Sequence, residues 1–223
     1  MMTFKVKHGE VQFQVIFTEP MFELLDPPSS RFHNTFLNGL SEFGVGLNDI
    51  KLAQGVPNLS EACVTFHLLD HNAMIRVQLD KAELTFLETT QLTQERIEKI
   101  YRKTFECLKK VANNLRIKEY ILNIALHGSL ERATLDEFWK GFLVKSPAGL
   151  GPAAGNGLVF YYGAGGNTKA SSIVADMSAR ISNGLFVRSS VTLDGSSVSF
   201  DALPNAAKEA FSTQIHNLGL ILS

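Results

Sequence analysis

The feature that most constrains the fold of this chain is an alternation of apolar and polar residues that recurs in many short segments. Successive side chains of a β-strand point to opposite faces, so this alternation predicts strands that each bury one face. At the start of the chain we predict two such runs, 4–6 and 11–17, joined by a turn at His8-Gly9. Further strands are predicted at Ala62–Leu68, Met74–Leu79, Glu83–Glu88, Glu119–Leu126, Leu158–Tyr162, Ser171–Ser178 and Leu185–Leu193.

Helical spacing of apolar residues predicts four helices that can cover these strands. They are expected at Ser30–Phe43, at Thr93–Leu115, from Thr134 onwards, and from about Pro204 to a cap at Gly219. The second is the clearest, because Thr93 can cap its first turn and its apolar residues form one stripe. In the third, Thr134 and Glu137 match a capping box.

The dipeptide Asp194-Gly195 is typical of the two-residue turn of a β-hairpin. We therefore predict a partner strand at Ser196–Phe200, with Val198 opposite Val191. Strands and helices occur in both halves of the chain without regular βαβ alternation. This pattern favours an α+β fold, in which antiparallel sheet meanders carry long amphipathic helices on one face and the two halves are loosely similar.

The distribution of charge predicts two lobes. The chain has 21 basic and 22 acidic residues, and only nine of these charged residues lie in 141–223. We expect a β-meander and helix lobe over 1–145, a Gly/Pro-rich connection over 146–157, and a β-hairpin and carboxyl-terminal helix lobe over 158–223. The sequence leaves open whether the lobes share one sheet and one domain, and whether the connection is a linker or a pocket lid.

Composition and targeting signals exclude several classes of protein. A hydrophobic share of 45% with a net charge of −1 excludes a disordered chain. The longest uncharged stretch, 146–168, contains seven glycines and two prolines, which argues against a membrane span. No apolar run follows the first residues as in a secretory signal, and Cys63 and Cys107 match no disulfide or zinc pattern. We therefore expect a cytoplasmic protein without membrane association.

The reactive residues match no catalytic, metal-binding or cofactor-binding motif. The glycines of 149–155 precede a predicted strand, whereas a phosphate loop precedes a helix. His67 and His71 span a strand end and a turn, which indicates a structural role rather than a metal site. In His127-Gly128-Ser129 no acid is placed to orient the imidazole ring. The sequence predicts no catalytic residue, no metal and no cofactor; whether the protein is an enzyme stays open, with a non-catalytic role preferred.

One constellation of charged residues could bind a ligand. Asp176 interrupts an apolar strand, and Arg180 lies four residues on, which predicts the same strand face and an ion pair between them. Alternatively, Asp176 and Arg180 could act with Arg188 of a neighbouring strand as polar anchors in a cavity between sheet and helix. These three are the candidate ligand-binding residues.

The segment 93–118 is basic, with eight Lys or Arg residues and three Glu residues. Such a helix could follow a phosphate backbone. The candidate nucleic-acid contacts are Lys99, Arg102, Lys103, Lys109 and Lys110. No aromatic RNA-binding motif accompanies them and the whole chain is nearly neutral, so a solvated helix face is the preferred interpretation.

Three segments occur in a characteristic order: LRIKEYILNIAL at 115–126, SSIVADMSARI at 171–181 and LPNAAKEAFSTQIHNLGL at 203–220. Together they resemble a family of uncharacterised bacterial α+β proteins of about this size. In that family such a strand precedes a short helix, a strand bearing an Asp and a closing helix with an internal Phe. The resemblance implies this layout and a bacterial origin, and it implies no assigned activity.

The function expected from the sequence is a non-catalytic role in binding or assembly through protein–protein contacts, as a homo-oligomer or with a protein partner. The low charge of 141–223 favours this role, because the cores of interfaces are depleted in charge. Two alternatives stay open. One is a pocket for a small ligand, which could serve an enzyme, and the other is weak nucleic-acid binding through 93–118.

Overall fold

The computed structural model of the protein describes residues 1–27, 31–53, 58–112, 114–142 and 157–223. The strands are β1 (Met2–Phe17), β2 (Ile50–Ala53), β3 (Cys63–Leu68), β4 (Ala73–Gln78), β5 (Lys81–Phe86), β6 (Ile117–Glu131), β7 (Gly157–Tyr162), β8 (Thr168–Met177), β9 (Leu185–Asp194) and β10 (Leu220–Leu222). The helices are α1 (Arg31–Leu40), α2 (Gln94–Val111), α3 (Leu135–Lys140) and α4 (Leu203–Asn217). The predicted α+β fold is confirmed. The predicted connection at 146–157 lies, except for its last residue, outside the described residues.

All described strands belong to one sheet in the order β2-β3-β4-β5-β1-β6-β9-β8-β7, and β10 pairs with the start of β1. The pairs are antiparallel except for that of β1 with β10, which is parallel. Strands from both predicted lobes therefore share a sheet, and the pairing of β6 with β9 joins the two lobes. Each half runs strand, short helix, meander and long helix, as the loose similarity of the halves predicted.

The four helices pack on one face of this sheet, as predicted. The ring of Phe36 in α1 stacks on Phe66 of β3 at 4.8 Å, and Tyr101 of α2 lies 4.9 Å from Phe13 of β1, between ring centroids. Under α3 and α4 a second apolar cluster is formed with β6, β8 and β9. We call this side of the sheet the covered face. None of the described helices is long and apolar enough to span a membrane.

The turn predicted at His8-Gly9 is wrong, because β1 is one strand that pairs with β6 on both sides of that point. The register shifts around Lys7, which forms a β-bulge. The extra residue exchanges the two faces, so Phe4 before it and Phe13 after it are both buried on the covered face. The apolar residues fall at even positions before Lys7 and at odd positions after it, and this shift indicates a bulge here, not a turn.

The hairpin predicted after Asp194 is also wrong. The chain turns away from β9 and enters a short 3-10 helix at Phe200–Ala202. Asp194 Oδ1 accepts a hydrogen bond from Ser196 N at 3.1 Å, and its carbonyl oxygen accepts one from Val198 N at 3.1 Å. These local bonds replace a strand ladder, and Val198 lies in the core instead of pairing with Val191.

Candidate functional site

The sheet face opposite the covered face carries no helix among the described residues, and we call it the open face. Its central part consists of three rows of residues that pair across β1, β6, β9 and β8. The first row is His8, His127, Phe186 and Asp176; the second is Glu10, Ala125, Arg188 and Val174; the third is Gln12, Asn123, Ser190 and Ser172. Polar and charged side chains predominate in these rows.

A basin of about 270 Å³ lies in the middle of these rows. We call it the open-face basin, and it is lined by Glu10, Gln12, Asn123, Ala125, His127, Phe186 and Arg188. The small side chain of Ala125 forms its floor, because its neighbours on every side are larger. The basin therefore combines both signs of charge, amides and aromatic rings.

A hydrogen-bonded chain of amides forms one side of the basin. Gln12 Oε1 accepts from Asn123 Nδ2 at 2.9 Å and from Gln14 Nε2 at 2.9 Å. The bond from Asn123 joins β6 to β1, and the two bonds together hold the amides in a defined orientation. Amides fixed in this way are suited to recognising polar groups of a ligand.

Aromatic rings form the opposite side. The imidazole ring of His127 lies 4.7 Å from the ring of Phe186, and its Nδ1 is 2.9 Å from Ser178 Oγ. Burial, followed by the nearby charges of Arg180 and His8, lowers the pKa of His127. The ring is therefore neutral near pH 7 and adds no cation to the basin.

The contact between His127 and Ser178 is a hydroxyl–imidazole pair that the sequence analysis did not identify. Ser178 Oγ accepts hydrogen bonds from the backbone N–H groups of Arg180 at 3.2 Å and Ile181 at 3.0 Å. The hydroxyl therefore fixes the turn after β8 and donates its hydrogen to the imidazole. An oxygen engaged in this way is a turn cap rather than a free nucleophile.

An ion-pair cluster borders the basin beyond His127. Glu88 Oε1 lies 3.3 Å from both His8 Nδ1 and Arg180 Nη1. The predicted ion pair of Arg180 with Asp176 is therefore wrong: β8 ends at Met177, and Arg180 lies in the following bend.

The structure places the three predicted ligand-binding residues on the open face. Arg188 lines the basin, Asp176 pairs with Phe186 beside it, and Arg180 lies at the border. The prediction that they lie between sheet and helix is wrong. On β8, the residues that face the helices are Ile173 and Ala175. Binding of a ligand by these residues stays a prediction.

A separate cleft of about 430 Å³ does lie between the sheet and α4. Its lining includes Ser171, Thr213 and Gln214, and Glu209 is its one charged residue among the described part of the chain. Gln214 Oε1 accepts a hydrogen bond from the buried Ser189, which ties α4 to β9. None of the predicted ligand-binding residues lines this cleft.

Three of the five predicted nucleic-acid contacts on α2 are engaged locally. Lys99 pairs with Glu42, Lys103 with Glu106 at 3.0 Å, and Lys109 Nζ lies 4.7 Å from the ring centroid of Phe105. Arg102 and Lys110 are exposed. Binding of nucleic acid by this helix stays a minor prediction.

The two edges of the sheet differ in charge and length. At one edge, β2 has four residues and includes Lys51. At the other, β7 has the uncharged sequence GLVFYY and pairs on one side only, among the described residues. On β7 the side chains of Val159 and Tyr161 are 49% and 83% exposed. An apolar strand edge of this kind is a site for pairing with another chain.

The two cysteines, Cys63 and Cys107, are buried. Burial raises the pKa of the Cys107 thiol to about 11, which disfavours a reactive thiolate. The described residues contain no group of three or more His, Cys, Asp and Glu side chains placed to bind a metal.

Comparisons with known proteins do not identify a family. No family model and no curated protein matches the chain. Among solved structures, the chain is similar to the aspartate kinase of Clostridium acetobutylicum, with 9% identity and a TM-score of 0.21. The match covers 84% of this chain and 30% of the kinase, so the chain spans less than a third of that protein's length. A TM-score this low supports no conclusion about fold or function, and membership of the bacterial family that the sequence resembles stays a prediction.

Proposed function

We propose that this protein acts by binding and assembly rather than by catalysis, and that it pairs with a second copy of itself through β7. The observation that carries the proposal is the uncharged, exposed edge of β7. The cytoplasm is the proposed location, in keeping with two free, buried cysteines.

Within the described part of the chain, the edge of β7 has none of the features that prevent pairing. Edge strands in soluble proteins are usually guarded by Lys, Pro, a bulge or short length. β7 contains neither a charged residue nor a proline, and its pairing with β8 is regular. Its outer N–H and C=O groups can therefore accept another strand.

The composition of β7 favours a second copy over a charged partner. In an antiparallel pair related by a two-fold axis, the same strand supplies both sides of the interface. Val159 and Tyr161 would then meet β-branched and aromatic side chains of the other copy, and such cross-strand pairs stabilise sheets. Nothing on the strand provides charge complementarity for a basic or acidic peptide.

The test is the mass of the protein in solution. We expect the unmodified protein to be a dimer by light scattering at micromolar concentration. Val159→Lys should be a monomer, because the two-fold axis would bring the lysines of both copies into the same interface. The matched control is Leu52→Lys at the opposite edge, where the side chain is also exposed, at 42%. It should leave the dimer intact.

Circular dichroism of both variants would confirm that the sheet is retained. A monomeric unmodified protein, or a Val159→Lys variant that remains a dimer, would refute assembly through β7.

A further inference from the structure

The second row of the open face places opposite charges on either side of a small residue. Glu10 pairs with Ala125 across β1 and β6, and Ala125 pairs with Arg188 across β6 and β9. Neighbouring strands are about 5 Å apart, so the Cα atoms of Glu10 and Arg188 are about 10 Å apart. Both side chains line the basin above Ala125.

Neither charge has an ion-pair partner within the described part of the protein. The contacts that border the basin join Glu88 with His8 and Arg180, and neither Glu10 nor Arg188 takes part in them. Arg188 is exposed and Glu10 is half-buried. A carboxylate and a guanidinium thus face one basin without a salt bridge between them.

The other rows restrict what can occupy this space. The tilted rings of His127 and Phe186 provide an aromatic surface on one side, and the amides of Gln12 and Asn123 provide hydrogen-bonding groups on the other. Since His127 is neutral near pH 7, Arg188 is the one cation among the described lining residues. An anionic group in the basin is therefore directed to Arg188.

We propose that the open-face basin binds a small zwitterion of the class of free α-amino acids. The carboxylate of the ligand pairs with the Arg188 guanidinium, its ammonium group pairs with the Glu10 carboxylate, and its side chain lies against Phe186. A guanidinium can hold a carboxylate through two hydrogen bonds, and a volume of about 270 Å³ accommodates an amino acid with an aromatic or branched side chain. This site is separate from the β7 edge, and each can be tested alone.

The experiment is titration calorimetry of the full chain with L-phenylalanine and L-leucine. Two matched probes each lack one charge: phenethylamine has no carboxylate, and 3-phenylpropionate has no ammonium group. We expect at least one amino acid to bind and both single-charge probes to bind at least about tenfold more weakly.

Two variants assign the charges. Arg188→Gln and Glu10→Gln should each weaken binding of the amino acid by at least about tenfold, whereas Lys51→Gln, elsewhere on the sheet, should not change it. The double variant Glu10→Arg with Arg188→Glu should bind the amino acid more tightly than Glu10→Arg or Arg188→Glu alone, because a zwitterion can bind in the reversed orientation.

Three results would overturn the proposal: no heat of binding for either amino acid at about 10 mM, equal binding of a single-charge probe, or binding unchanged in both Gln variants. Measuring the Val159→Lys monomer in parallel separates the two sites, because its binding of the amino acid should equal that of the unmodified protein.

Discussion

The covered and open faces of the sheet are built from alternate residues of the same strands, yet their chemistry differs sharply. In β3, for example, Phe66 is fully buried under α1, while its neighbour Thr65 lies on the open face. A shift of one residue in any strand would exchange the two faces. Core side chains and open-face side chains therefore alternate along each strand, and substitutions at adjacent residues should have separable effects.

The largest effect should come from Phe66→Ala on the covered face. Its ring stacks on Phe36 and has no exposed surface, so its loss should lower the free energy of unfolding by about 3–5 kcal/mol. Thr65→Ala, one residue away, should change it by less than about 1 kcal/mol. Urea unfolding of both variants makes the comparison. Similar losses in the two would contradict the separation of the faces.

A smaller effect is expected at the buried polar pair of Ser189 and Gln214. Ser189→Ala removes the donor to Gln214 Oε1 and leaves that oxygen buried without a partner, at a cost of about 1–3 kcal/mol. The double variant Ser189→Ala with Gln214→Leu should recover most of this loss, because it replaces both partners by apolar groups.

Urea midpoints of the single and double variants measure this coupling. Equal losses of unfolding free energy in the single and double variants would show that the Ser189–Gln214 hydrogen bond does not cause the destabilisation.

The smallest effect should be a pH dependence that arises on the open face. The pKa of His127 is lowered from its ordinary value of 6.5, mainly by burial. The unfolded chain therefore takes up a proton more readily, so the stabilisation from neutral His127 is complete above about pH 6.5 and is lost as the pH falls through the lowered pKa. His127→Gln should make the loss of stability on acidification shallower.

Unfolding free energies between about pH 7.5 and 5 provide the measurement. Burial also lowers the pKa values of His33 and His67, so the variant should retain part of the slope. An unchanged slope would show that His127 does not contribute.

Local signals in the sequence predicted the helices well. Thr93 Oγ1 accepts a hydrogen bond from Arg96 N at the start of α2, as expected of a cap. The capping box is present in α3, where Thr134 Oγ1 accepts from Glu137 N at 3.2 Å and Glu137 Oε2 accepts from Thr134 N at 2.7 Å. Both features depend on residues within one turn, so the local sequence is enough to predict them.

Features that depend on distant pairing were not predicted. β2 and β10 are too short to show alternation, and each becomes a strand because a partner lies beside it. The basin was missed for the same reason: alternation places Glu10, Asn123 and Arg188 on the polar face of their own strands, but their meeting depends on the registers of β1, β6 and β9. The hydroxyl partner of His127, Ser178, is 51 residues away, so the sequence neighbours of His127 give no sign of it.

The parallel pairing of β10 with β1 has a consequence for how the molecule is made. Met2 pairs with Leu220, so the outer side of this part of β1 is completed only once the chain has been synthesised as far as β10. Phe4, fully buried in the core of the second half, also lacks its final neighbours until then. During synthesis the amino-terminal part of β1 therefore remains an incomplete edge, and this protein should rely on chaperones more than a chain that folds in sequence order.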